Sequence, residues 1–246
     1  MLATFPTYIA RSKRQRRAFP IIEVQQFTTA RAAIQAAEKH ALPVVLSVQS
    51  DPSLVRGLLS LAQVANIPVL VTVRCRSIED AEQVLALGVQ GITVQVHDLP
   101  QHGRKMYLES LVAVLASRDV SLFLEWDAKE KIPTELAQSG IHGLILRNTA
   151  ILSPLLIKEL IEHLLRSKQI PVFLHADELK PRELQQYLKA GILGYFVSTA
   201  VEEAYTAGLR TGLRNHALTL ASEYEHYAVL AAQETTERIL INHTKQ

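Results

Sequence analysis

The chain has 246 residues, 48% hydrophobic and 20% charged, with a formal net charge of +2. That is an ordinary globular composition, and it excludes collagen-like, disulfide-knotted and disordered classes. The near-neutral balance and 6% aromatic content argue against a dedicated nucleic-acid binder. No apolar run reaches the roughly 18 residues of a membrane helix, and no signal-peptide stretch follows the basic residues near the start. The single cysteine, Cys75, cannot close an internal bridge. A cytoplasmic protein forming one domain over residues 1–246 is expected.

In chain order, the first element is a basic helix or arm over residues 1–18, with five cations between Arg11 and Arg17. Short apolar runs then occur at 19–23, 43–48, 68–73, 91–95, 120–125, 143–147, 171–174 and 193–197. They are rich in Val, Ile and Leu, as parallel strands buried on both faces should be. Between them lie stretches with helical spacing at 28–40, 51–66, 77–87, 104–117, 133–139, 154–168 and 180–190. Ser77, followed by Glu79 and Asp80, reads as a helix start, because a hydroxyl cap and carboxylates suit the positive helix N-terminus. Gly88 and Gly191 fall just past helix ends, where a left-handed residue is wanted. Eight successive β-then-α units predict a (β/α)8 TIM barrel, followed by further helices within 201–246.

In such a barrel, chemistry belongs to the C-terminal ends of the strands. The most distinctive side chains there are Arg74, Cys75, Arg76, Glu125, His175, Asp177 and Glu178. The connections are short, leaving little chain for a lid.

At these positions the chain resembles the class II, metal-dependent fructose- or tagatose-bisphosphate aldolases, from about residue 9 to about 241. Phe19-Pro-Ile-Ile-Glu-Val-Gln-Gln-Phe-Thr-Thr29 is similar to the family's V-P-A-F-N-V-N-N-L-E-T. Residues 68–80 occupy the place of P-V-A-L-H-L-D-H-G…S-F-E-D, and 171–175 that of P-L-V-L-H. Residues 190–199 resemble A-I-x-x-G-I-x-K-I-N-V-N-T. The resemblance implies a TIM barrel, zinc, a sugar-bisphosphate substrate and self-association.

The site positions depart from that pattern. The family's acid/base aspartate corresponds to Arg74 and the zinc histidine after it to Cys75. Arginine stays protonated and cannot shuttle a proton as a carboxylate does. A second zinc histidine has no counterpart in the run from Arg147 to Ile151, whereas the third matches His175 and a metal-associated carboxylate matches Glu125. The phosphate-binding G-G-S-G is replaced by Ala176-Asp-Glu-Leu179, while Ser198 and Thr199 keep part of the second phosphate motif.

The expectation is therefore an aldolase-like barrel without aldolase activity, in a structural, regulatory or assembly role. An active lyase, or another enzyme rebuilt around His175, Cys75, Glu125 and Arg74, is the alternative. Zinc, if present, would use Cys75, His175 and Glu125; an anion would use Ser198, Thr199 and Arg76. Arg74 or Arg76 is expected to pair with Glu125, Asp177 or Glu178 across the barrel mouth. The segment from Arg11 to Arg17 is read as a solvated helix face, with an anionic surface, nucleic acid or acidic partner as the alternative. A homo-oligomer is expected, with no membrane contact.

Overall fold

The computed structural model describes residues 4–15, 17–95, 104–116, 118–127, 140–147, 153–168, 170–177, 179–215, 217–218 and 220–242. Eight parallel strands close a barrel in sequence order. They are β1 (Phe19–Glu23), β2 (Val44–Gln49), β3 (Val69–Cys75), β4 (Gly91–Gln95), β5 (Ser121–Asp127), β6 (Gly143–Arg147), β7 (Val172–His175) and β8 (Gly194–Val197). The helices are α1 (Phe5–Gln15), α2 (Phe27–Lys39), α3 (Pro52–Val64), α4 (Ile78–Leu85), α5 (Arg104–Ala116), α6 (Pro154–Lys168), α7 (Pro181–Ala190), α8 (Ala200–Leu213) and α9 (Ala221–Asn242). The helix expected at 133–139 lies outside the described residues. No helix among those described is long and apolar enough to cross a membrane.

The punctuation read from sequence has a structural basis. Ser77 accepts a hydrogen bond from Asp80 N at the start of α4. Gly88 and Gly191 adopt φ of 87° and 110°, a region where a Cβ would clash. Asp51 caps α3 by accepting from Ser53 N and Leu54 N.

Two cores follow from the alternation of side chains along each strand. One lies between sheet and helices and includes Val44, Leu46, Val71, Val73, Cys75 and Leu124. The other fills the barrel itself with Phe19, Ile21, Leu70, Phe123, Phe173 and Phe196. Its phenylalanines fit because β4, β6 and β8 offer glycine opposite them. A Cβ on Gly143 would lie 2.6 Å from Phe123 and 2.8 Å from Phe173. Each buried ring contributes about 1.5–3 kcal/mol. Below them α1 seals the N-terminal end: Phe5 packs edge-on against Phe123 at 4.9 Å, and Ile9 is buried beside it.

The helices expected within 201–246 are α8 and α9. α9 approaches α8 closely because Gly208 and Gly212 lack side chains: a Cβ on Gly208 would lie 2.5 Å from Tyr227 O. α9 is also tied to α2, through Glu237 to Lys39 at 2.8 Å and Gln233 to Gln35 at 2.6 Å. Glu202, in the first turn of α8, accepts from Gln25 N and from the Thr29 hydroxyl. The barrel is thereby fastened across β8 and β1, where its first and last strands meet.

Candidate functional site

Strand register decides which side chains share a height inside the barrel. Glu23 pairs with Ser47 and Ser47 with Thr72; Arg74 lies two residues further along β3. Arg74 leads through Thr93 to Phe123, two residues short of Glu125. Glu125 leads through Ile145 to Phe173, two residues short of His175. His175 leads through Phe196 to Ile21, two residues short of Glu23. The circuit closes. Glu23, Arg74, Glu125 and His175 therefore form one layer of the barrel, contributed by the odd-numbered strands.

Every member of this layer is ionisable, and it rests on the apolar core below. Glu23 and Arg74 are each 8% exposed and Glu125 is fully buried. Arg74 donates from both terminal nitrogens to Glu23, at 3.1 and 3.4 Å. Its Nε lies 3.3 Å from Glu125 Oε2, a charge contact without an aligned hydrogen bond. From the level above, Gln49 donates to Glu23 at 3.4 Å and Gln95 to Glu125 at 3.3 Å. Half-exposed Arg147 reaches Glu125 Oε1 at 2.9 Å.

His175 closes the network. Its Nε2 is 3.5 Å from Glu125 and its Nδ1 is 3.9 Å from Asp177, with the ring stacked on Phe196 at 5.1 Å. Burial disfavours its charged form, but Asp177 and Glu125 outweigh burial and raise its pKa. Burial likewise opposes ionisation of Glu125, yet His175, Arg74 and Arg147 together hold its pKa below the ordinary value. Arg74, Arg147 and, in its protonated form, His175 stand against Glu23, Glu125 and Asp177. This is a self-neutralised plug, the arrangement in which buried ions are tolerated.

Asp177 has a second set of partners. Its Oδ1 accepts from Ser198 N at 2.8 Å and Thr199 N at 3.1 Å. Burial would raise its pKa, but these hydrogen bonds and His175 lower it to about 2. Consecutive amides ahead of a helix form an anion-binding concavity. Here the chain's own carboxylate occupies it, so Ser198 and Thr199 are engaged internally rather than offered to an external anion.

Other expected site residues lie elsewhere. β3 continues two residues past its expected end, so strand alternation sends Arg74 inward and Cys75 outward into the core beneath the helices. There Cys75 donates weakly to Val73 O at 3.7 Å, and burial pushes its thiol up to about 12. It does not converge with His175 and Glu125, which corrects the expected three-residue metal set. Arg76 lies beyond the strand with an exposed side chain, and among the described residues no ion pair joins it to the plug. Glu178 falls outside the described residues. Of the pairs expected across the mouth, Arg74 with Glu125 is present among the described residues.

Two participants were not singled out from sequence: Glu23, the principal partner of Arg74, and Arg147. Both end strands at inward-facing positions, a signal available from period-two alternation alone.

A zinc ion does not fit this donor set. The Arg74 guanidinium stands against Glu125, Cys75 faces away, and a thiolate at that buried position is strongly disfavoured. Among the described residues, no group of three His, Cys, Asp or Glu side chains is arranged to hold a metal.

No protein-family model matches the chain, and no curated protein matches its sequence. Solved structures do. The YdjI aldolase from Escherichia coli K12 superposes with a TM-score of 0.84 at 17% identity, covering 100% of this chain and 99% of that one. A protein assigned as a fructose-1,6-biphosphate aldolase from Coccidioides immitis gives 0.82 at 18% identity, covering 97% and 95%. A fructose-bisphosphate aldolase from Campylobacter jejuni gives 0.76 at 11% identity, covering 100% and 97%. The chain is thus similar in fold, along its whole described length, to solved proteins named as aldolases.

Proposed function

We propose that this chain is a catalytically silent barrel of class II aldolase ancestry, acting as a structural, regulatory or assembly subunit through a protein partner or through copies of itself. The observation that carries this reading is the state of Arg74. It stands where the resemblance puts the acid/base aspartate, and it is held by Glu23 and placed against Glu125. A positioned acid or base supplies about 10²–10⁴-fold in rate, and a permanently charged guanidinium supplies none of it. The Asp177 carboxylate in the Ser198–Thr199 amides adds a second obstacle. A phosphate placed there would meet a like charge, at a cost on the order of 1–4 kcal/mol.

Steady-state cleavage of fructose 1,6-bisphosphate with added zinc tests the reading. The expected rate is that of the buffer alone. Turnover clearly above that background would overturn catalytic silence and favour an enzyme rebuilt around Arg74, Glu125 and His175.

A further inference from the structure

The opposite end of the barrel carries a second concentration of charge. α1 is anchored across the N-terminal strand ends by Phe5 and Ile9, and its outer side presents Arg11 and Arg14, with Arg17 just beyond. The last turn of α7 adds exposed Lys189 at the same end. None of these four cations makes an ion pair among the described residues. Glu38 at the end of α2 accepts from Asn66 N, and Glu237 on α9 pairs with Lys39 and His40.

Of the clefts along α1, two carry these cations. One, of about 130 Å³, has Arg11 and Arg17 beside Tyr8, Leu42 and Leu240. The other, of about 340 Å³, has Arg17 and Lys189 beside Leu188, Ile192 and Leu193. Each joins a cationic edge to an aliphatic wall. The larger is at the lower limit of small-ligand pockets, about 300–1,000 Å³, which is room for a few side chains.

We propose that this end of the barrel binds an acidic, partly apolar peptide segment of a partner protein, its carboxylates meeting Arg11, Arg17 and Lys189 and its apolar side chains entering the two clefts beside α1. Guanidinium groups match carboxylates in geometry as well as charge. The sealed barrel beneath fixes α1 in place, so little ordering accompanies binding. A nucleic-acid backbone has nothing apolar to place in the clefts, and α1 exposes no large aromatic on which bases could stack. A lipid surface is disfavoured too, because α1 projects no large exposed hydrophobic side chain as an anchor. The inference is independent of catalytic silence at the other end.

Fluorescence anisotropy with a labelled peptide of alternating glutamate and leucine tests it on the full-length chain. Saturable binding is expected, weaker for polyglutamate and weakening as salt is added. The exposed double substitution Arg11→Glu, Arg17→Glu should weaken it about tenfold or more with an unchanged thermal melt. Lys189→Glu, on a separate element, should weaken it as well. Absence of saturation below about 1 mM, or equal binding by the substituted chains, would overturn the site. Binding of a DNA duplex or of phosphatidylserine vesicles as tightly as the peptide would overturn the choice of partner.

Discussion

Replacing Arg74 by methionine is expected to lower stability by about 3–5 kcal/mol, the usual loss when one partner of a buried ion pair is removed. At roughly 2–4 °C per kcal/mol for a chain approaching this size, the unfolding midpoint falls by about 6–20 °C. The loss arises because Glu23 and Glu125 stay behind, nearly or fully buried, without the cation that faces both. Packing alone does not account for it, since methionine fills much of the volume. The double variant Glu23→Gln, Arg74→Met should therefore recover part of the deficit, one stranded charge having been removed. Thermal unfolding of the three proteins decides the matter. A single variant within about 1 kcal/mol of the parent, inside the range of ordinary surface changes, would show that the layer is not a coupled charge network.

The second large effect is on the pH dependence of stability. Glu125 has its folded pKa lowered from the ordinary 4.5, with burial opposed and outweighed by His175, Arg74 and Arg147. Its contribution is therefore present above about 4.5 and is lost as pH falls through the folded value. Asp177, lowered from 3.8 to about 2, extends the same acid limb. His175 has its folded pKa raised from 6.5 by Asp177 and Glu125 against the effect of burial. Its contribution is complete below 6.5 and is lost as pH rises through the folded value. Stability should thus be greatest between about pH 4.5 and 6.5, with a fall on each side of at most about 1.4 kcal/mol per pH unit for each titrating group. Urea unfolding across pH 3–9 measures it. His175→Asn should abolish the alkaline limb and also shrink the acid one, because His175 helps to lower Glu125 and Asp177, and a parent protein whose stability climbs steadily from pH 6 to 9 would contradict the assignment.

Much of this was legible in the sequence, for physical reasons. Parallel strands buried on both faces leave uninterrupted apolar runs, so the eight strands were placed to within about two residues, the usual uncertainty of element ends. The ends were less visible because β3 and β5 finish in Arg74-Cys75 and Trp126-Asp127, residues that read as loop until the neighbouring strand supplies their hydrogen bonds. That extension decides the site. It fixes Arg74 on a strand and turns Cys75 to the opposite face. Glu23 is visible in the sequence as the end of an apolar run, but its partner is not. Only register around the closed barrel places it level with Arg74, Glu125 and His175. The contact of Asp177 with Ser198 and Thr199 spans two strand–helix connections, and no local pattern encodes it.

The barrel mouth is satisfied by its own side chains, with Arg74 held by Glu23 and placed against Glu125. Equilibrium dialysis of the purified protein against micromolar zinc, followed by metal analysis, tests that most directly. Zinc well below one ion per chain, together with a thermal midpoint unmoved by the metal, is the predicted result. One ion bound per chain, with the midpoint rising as zinc is added in the manner of a ligand that prefers the folded state, would contradict it.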